Sequence, residues 1–314
     1  MHYTKSPIDR LDHLRADVGT ISTFWQQQST LILPFWRNRV LIEQKGQQTP
    51  TLHPLKRASV PDDAVFRTFL GVMGNTHWFS IELQPDQEPD LDTLLKGTDA
   101  DPTICSFEEL RVIGPHLPPD DGALAIYARA LGNWQNRSAY CPSCGRPAEL
   151  VNAGHVRQCS NLDCGMQIFP RTDPAVIMLV TDKEDDNRCL LGRSKGWPDG
   201  VYSTLAGFVE AGESLEAAVA REVHEETGIT IDQVKYVTSQ PWPFPQSIML
   251  GFNSLASSSE IKLNESELDD ARWFTRSELA KFGEWGETSD RFKLPRRDSI
   301  ARYLVEYWLN KSPA

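Results

Sequence analysis

A chain of 314 residues with 40% apolar and 24% charged positions predicts a water-soluble protein of two or three domains with ample core. Its net charge of −11 argues against a non-specific grip on nucleic acid, which relies on Lys and Arg neutralising phosphates, but admits a nucleotide whose charge is met by metal. No apolar run approaches the ~20 residues that span a bilayer. The N-terminal MHYTKSPIDRLDHLR lacks an apolar signal core, and the C-terminal Ser-Pro-Ala is not a peroxisomal address. The expected place is the cytoplasm, away from membrane.

Residues 1–135 read as a mixed α/β domain of low sequence information. Short strands are expected at Leu31–Leu33, Val40–Glu43 and Trp78–Leu83, the last alternating with period two. Segment Gln84–Pro102, rich in Asp and Pro, reads as a surface loop, and Ser106 as the cap of a helix through Phe107-Glu108-Glu109. A firmer helix runs from about Asp121 to Asn136, with Ala123, Tyr127, Ala130, Leu131 and Trp134 on one face. His13, His53, His77 and His116 are scattered, so this domain is expected to support assembly or shape a site rather than do chemistry.

Residues 136–170 carry Cys141-Pro-Ser-Cys144 and, fourteen residues on, Cys159-Ser-Asn-Leu-Asp-Cys164. Two such knuckles present four thiolates to one tetrahedral Zn²⁺, and a closed shell of four makes the site structural. Gly145 and Gly165 follow the second cysteine of each knuckle and ease its turn. Two disulfides or four free thiols are the competing reading, the disulfides being disfavoured in a reducing compartment. Cys105 and Cys189 fall outside the pattern and read as buried apolar side chains.

Residues 171–314 form the third part. Ala175–Val180 is a continuous apolar run suited to a buried strand. Further strands are expected at Arg188–Gly192, Val201–Ala206, Val234–Thr238, Ser247–Asn253 and Arg272–Phe274, with helices near Arg276–Lys281 and Asp298–Leu309. Mixed strands flanked by helices make an α/β sandwich. Between two of these strands, Ser239-Gln-Pro-Trp-Pro-Phe-Pro-Gln-Ser247 is a stiff loop. Trp242 and Phe244 in it are able to stack on a nucleobase or nicotinamide ring, or merely to pack a rigid turn.

The most informative stretch is Gly207–Ile229, GFVEAGESLEAAVAREVHEETGI. On a helix, Leu215, Ala218 and Val219 share a face that continues into Glu222 and Glu226, with Glu225 beside them. A stripe that should enter the core thus becomes a carboxylate cluster at a helix C-terminus, where the macrodipole and mutual repulsion disfavour it. Arg221 reaches Glu225 at i+4, but one guanidinium does not neutralise three carboxylates. Crowded oxygen ligands suit Mg²⁺ or Mn²⁺, whereas a solvated acidic helix end is the plain alternative.

The spacing Gly207, five residues, Glu213, seven residues, then Arg221-Glu-Val-His-Glu-Glu-Thr-Gly-Ile matches the Nudix box at every defined position. The chain therefore resembles the Nudix hydrolases, which cleave nucleoside diphosphates linked to another moiety. SQPWPFPQS downstream of the box, and a four-cysteine ribbon ahead of it, are similar to those of the NADH pyrophosphatase subfamily. The likeness runs from about Ala139 to the C-terminus, with a weakly resembling domain before it.

That resemblance implies hydrolysis of NADH or NAD⁺ to nicotinamide mononucleotide and AMP, with two or more Mg²⁺ or Mn²⁺ ions and one structural Zn²⁺. It implies metal ligation by Glu222, Glu225, Glu226, the Ala206 carbonyl and Glu267, with Glu265 and Asp269 close enough in sequence to compete for the last place. The general base is Glu225, Glu226 or Glu267; Arg221 orients Glu225, and Glu213 partners the box loop. Substrate contacts are implied at Phe169, Phe208, Gln240, Pro241, Trp242, Pro243, Phe244, Pro245, Gln246, Ser247 and Ala301. Gly154 stands where some relatives carry a polar contact, which leaves ribbon-side contacts open. Relatives suggest a homodimer built partly through the N-terminal domain. Alternatives are removal of the NAD cap from an RNA 5′ end, helped by the basic Lys293–Arg297, another dinucleotide or an ADP-sugar, and a non-catalytic zinc-ribbon interaction protein.

Overall fold

The computed structural model describes Tyr3 and residues 6–60, 66–96 and 98–311, apart from the side chain of Phe66. The rest of the N-terminal segment read above, and Ser312-Pro-Ala, lie outside the described residues. The chain divides into two compact units: Tyr3–Thr172 with Trp242–Gln246, and Asp173–Pro241 with Ser247–Ala314.

In the first unit, helix α1 (Val18–Gln26) precedes strands β1 (Leu31–Trp36), β2 (Arg39–Glu43), β3 (Thr51–Leu52), β4 (Leu55–Lys56), β5 (Phe66–Met73) and β6 (Thr76–Glu82). Helix α2 (Leu91–Leu94), strand β7 (Cys105–Glu109), α3 (Leu110–Ile113) and α4 (Pro119–Arg137) follow. The sheet order is β3-β2-β1-β6-β5, with β4 on β1 and β7 on β2; β1 and β6 are parallel. Alternation along β1 separates two cores. Leu33 and Phe35 join Leu124, Ala128 and Leu131 of α4, while Ile32 and Trp36 join Trp25 of α1 and Phe69, Phe79 and Ile81.

Two expectations for this unit need correction. Cys105–Glu109 is a strand, not a helix start: all five residues pair antiparallel with β2, and buried Cys105 and half-buried Phe107 point alternate side chains at the core. Tertiary pairing overrode the local cap signal, and the helix begins only at Leu110. Helix α4 is also buried well beyond the expected face, since Leu124, Ala125, Ile126 and Ala128 are covered while Tyr127 is half-exposed.

The cysteine ribbon belongs to the same unit. Strands β8 (Ala148–Val151), β9 (Val156–Cys159) and β10 (Gln167–Ile168) form a small antiparallel sheet. Gly154 is buried at φ +93°, and a Cβ there would lie 2.8 Å from Thr68 Oγ1. Its carbonyl accepts a 2.7 Å hydrogen bond from Gln135 Nε2, which also donates to Thr68. Position 154 therefore carries no side chain because β5 lies directly against it.

The second unit contains β11 (Asp173–Asp182), β12 (Arg188–Ser194), β13 (Leu205–Phe208), α5 (Leu215–Thr227), β14 (Ile231–Trp242), β15 (Ser247–Ala256) and β16 (Leu268–Thr275). Helix α6 (Arg276–Leu279), short strands β17 (Gly283–Glu284) and β18 (Lys293–Leu294), and helix α7 (Ile300–Leu309) complete it. Sheet order is β14-β15-β11-β12-β16 with β13 also on β11, and β11 runs parallel to β15 from Asp173↔Ser247 to Asp182↔Ala256. Val176, Met178 and Val180 pack on Ala218, Val219 and Val223 of α5; the alternate Ile177 and Leu179 pack on Ile300, Leu304 and Val305 of α7. This is the expected α/β sandwich, with apolar residues on both faces of a central strand.

Val201–Ala206 is not one strand: Val201 and Ser203 make isolated bridges and the strand proper starts at Leu205, placing Gly207 inside it. The stiff loop is shorter than expected as well. Strand β14 continues through Pro241 to Trp242, which its edge position tolerates because an edge proline need not donate. No helix among the described residues is long and apolar enough to cross a membrane.

Candidate active site

Helix α5 is fixed at both ends before any carboxylate is considered. Ser214 Oγ accepts from Ala217 N at 3.2 Å as N-cap, and Gly228 at φ +69° closes the last turn through a 2.8 Å bond to the His224 carbonyl. The Glu226 and Thr227 carbonyls accept from Asn264 N and Lys262 N, at 3.0 and 2.7 Å. The Asn264 carbonyl in turn accepts from the amides of Glu267 and Leu268. The capping of α5 thereby delivers Glu267 to its C-terminal end.

Around that end the carboxylates differ sharply. Glu222 and Glu226 are buried, Glu225 is half-exposed, and Glu267 is exposed. Desolvation pushes the Glu222 carboxyl up while the Arg221 guanidinium pulls it back. Burial pushes Glu226 to about 8, and the charges of Glu222, Glu267 and Glu225 add to it. Glu226 Oε2 has no hydrogen-bond partner. Of the three acidic candidates outside the helix, Glu267 is the one whose charge acts on both Glu222 and Glu226. Asp269 acts on Arg193 instead.

Arg221 holds more than the expected Glu225. Its Nε and Nη2 donate to the two oxygens of Glu213 at 2.8 and 2.9 Å, its Nη1 to Glu222 and Glu225 at 2.9 Å each, and Nη2 also to the Phe208 carbonyl. These partners, Glu213 first, push its pKa far up. Glu213 also accepts from the Glu210 amide, so it is a partner of the box loop. The Glu213–Arg221 pair was not read from the sequence, because Glu213 precedes the helix and helical spacing does not reach it.

Gly207 has a direct reason. A Cβ there would fall 1.8 Å from the Glu222 carboxyl carbon, so only a bare backbone lets β13 pass beside that carboxylate. Next to it Ala206, paired with Ile177 of β11, lines a cavity of about 170 Å³ together with Glu226, Thr204 and Trp197. Ala206 and Glu226, whose Oε2 is orphaned, line this one cavity, and oxygen donors of this kind suit hard divalent cations, although among the described residues the cysteines alone gather their ligand atoms within 4.8 Å.

The ribbon cysteines converge as well: the Sγ atoms of Cys141, Cys144, Cys159 and Cys164 lie within 4.8 Å of one another. Gly145 and Gly165 have φ of +71° and +55°, and their amides bond to the Cys141 and Asn161 carbonyls at 2.9 Å. Four thiols gathered so tightly fit one soft tetrahedral ion. Cys105 and Cys189 are buried apart from this cluster, and burial pushes their thiols up, Cys105 to about 11.

The remaining predicted contacts divide. Phe208 and Phe169 are exposed aromatics, in different units. Trp242 and Phe244 stand edge to face at 5.1 Å, and Phe244 packs on the first unit's core. Asn133 Nδ2 donates to the Pro245 carbonyl at 2.8 Å. Pro243 is buried; Pro241, Gln246 and Ser247 are half-buried, and Pro245 is exposed. Gln240 has a structural task. It is fully buried, its Nε2 donating to the Asp298 carbonyl and its Oε1 accepting from Ile300 N at the start of α7, so it clamps that helix rather than lining open surface. Ala301 is likewise buried, in the core beneath α7. The arginines of the basic stretch are both paired, Arg296 to Asp298 and Arg297 to Glu284.

Residues 171–294 match the NUDIX domain, and residues 29–134 match the NADH pyrophosphatase-like rudimentary NUDIX domain. A protein of Mycobacterium tuberculosis named NAD-capped RNA hydrolase NudC is 37% identical over 308 residues, covering 96% of this chain and 92% of that one. The NAD-capped RNA hydrolase NUDT12 of Homo sapiens is 40% identical over 203 residues, 63% of this chain and 44% of that one. Among solved structures, a NUDIX hydrolase from Nitrosomonas europaea aligns with a TM-score of 0.37 at 20% identity, covering 44% of this chain and 78% of that one.

Proposed function

The chain belongs to the Nudix hydrolases of the NADH pyrophosphatase type, and on that premise we propose that it cleaves the pyrophosphate of NADH or NAD⁺ into nicotinamide mononucleotide and AMP. One observation carries the reading. Glu226, which carries a buried, unpartnered oxygen, lines a cavity amid the charges of three further carboxylates whose repulsion an ordinary fold would not keep.

In this reading Glu222, Glu225, Glu226, Glu267 and the Ala206 carbonyl hold two or more Mg²⁺ or Mn²⁺ ions. When bound, such ions neutralise the pyrophosphate and lower the pKa of a water. Arg221 keeps the Glu222 and Glu225 carboxylates aimed and leaves the phosphates alone. Trp242 and Phe244 stack the nicotinamide or the adenine. Water attacks one phosphorus in line, the bond to the bridging oxygen breaks with its electron pair, and a glutamate takes the proton. Glu225 already binds Arg221, which leaves Glu226 and Glu267 as the better bases. The four cysteines hold one structural Zn²⁺.

The division into residues 1–135, a ribbon at 136–170 and a hydrolase domain at 171–314, a homodimer, and a cytoplasmic place belong to the same reading. The second reading is removal of the NAD cap from RNA, the activity in the names of the NudC and NUDT12 relatives. It uses the same bond; the net charge of −11 speaks mildly against long RNA contacts, and both arginines of the basic stretch, Arg296 and Arg297, carry ion pairs. A side-by-side turnover assay on NADH, NAD⁺, ADP-ribose and NAD-capped RNA decides between them. The proposal expects NADH or NAD⁺ to have the highest kcat/KM; a preference for ADP-ribose, or none for nicotinamide substrates, would refute it.

A further inference from the structure

The cavity beside the box carboxylates has a second orphan. Thr204, two residues before Ala206, is 6% exposed, and its Oγ1 has no hydrogen-bond partner. It lines the same cavity of about 170 Å³ as Glu226, whose Oε2 is orphaned too. Among the cavity's hydroxyls in the described residues, that of Thr204 is the one both buried and unpartnered. Trp197 forms part of the wall, braced by Trp285 at 4.8 Å between ring centroids.

Burying a hydroxyl and a carboxylate oxygen unsatisfied on one cavity is costly, and neither relieves the other. The space is several times the ~30 Å³ share of a water. A group that donates to both oxygens satisfies both at once, and water does so.

We propose that Thr204 is a positioning residue for the hydrolysis, holding the attacking water against Glu226; the inference rests on the pyrophosphatase reading above. The water donates one O–H to Thr204 Oγ1 and the other to the Glu226 carboxylate. Its two lone pairs are then free, one for a divalent ion when bound and one for phosphorus. As the new O–P bond forms, the proton passes to the carboxylate, and the leaving nucleoside monophosphate keeps the electron pair of the broken P–O bond. A methyl in place of the hydroxyl leaves the water free to turn.

The test uses the full chain with Thr204→Val, which keeps the shape, and Thr204→Ser, which keeps the hydroxyl. With saturating Mg²⁺, the valine variant is expected to lose about tenfold to a hundredfold in kcat on NADH with KM unchanged, and the serine variant to recover most of it. Mn²⁺ affinity without substrate, followed by electron paramagnetic resonance, should not move. The valine variant should melt no lower than wild type, because an orphaned hydroxyl has been exchanged for a methyl. Wild-type kcat in the valine variant, or a joint fall of kcat, Mn²⁺ affinity and melting temperature, would overturn the assignment. An inactive wild type would instead sink the pyrophosphatase reading and this inference with it.

Discussion

Arg221 and Glu213 are joined twice, Nε to Oε1 at 2.8 Å and Nη2 to Oε2 at 2.9 Å, although seven residues and a helix start lie between them. The fork holds the guanidinium so that its third nitrogen reaches Glu222 and Glu225. Glu213→Gln breaks the bidentate geometry without touching a carboxylate of the cluster. It should lower kcat by about tenfold to a hundredfold, the usual cost of losing an orienting partner. Glu216→Gln, exposed nearby in the first turn, serves as control. Equal kcat values for the two variants would mean that Arg221 needs no such brace.

This pair marks the boundary of what the sequence made legible. The box was legible because helical spacing alone puts Glu222 and Glu226 on the stripe that Ala218 and Val219 bury. The ribbon was legible because knuckle spacing is local. Glu265, Glu267 and Asp269 are alike in sequence; only the fold shows the charge of Glu267 acting on Glu222 and Glu226, from a loop that Asn264 and Lys262 tie to the helix end. Long-range pairings left no local trace: Cys105–Glu109 became a strand only because β2 offered an edge, and Gln240 became a clamp only because α7 starts beside it. Thr204 carries no periodic signal at all; its interest lies in an unmet hydrogen bond.

Zinc content follows from the thiol cluster. Purified protein should contain about one zinc per chain, and Cys141→Ser should lose it together with thermal stability, since a structural site contributes folding free energy. Metal-free protein with all four thiols reduced and an unchanged melting temperature would contradict the ribbon.

His155 gives a pH signature separate from catalysis. Its Nε2 lies 2.8 Å from the Phe69 carbonyl, and burial depresses its pKa from 6.5 to about 4. The unfolded chain therefore binds a proton between those values that the folded chain refuses. Stability from the neutral imidazole is complete above pH 6.5 and is lost as pH falls towards 4, by about 3 kcal/mol at most. Glu82, raised to about 7 by burial, works in the opposite sense from pH 7 down to 4.5. The comparison is thus wild type against His155→Gln in urea melts across this range. The wild-type advantage should shrink only below pH 6.5; a constant difference would refute the neutral buried imidazole.

The central claim is that the carboxylates of α5 grip divalent ions for pyrophosphate cleavage, and Glu226→Gln tests it most directly because it removes one charge and keeps the shape. Turnover of NADH with saturating Mg²⁺ or Mn²⁺ should fall at least about a hundredfold. The melting temperature should hold or rise, because burial pushes the Glu226 carboxyl from 4.5 up to about 8 and the glutamine removes the cost of protonating it on folding. Turnover within a few-fold of wild type would contradict the account.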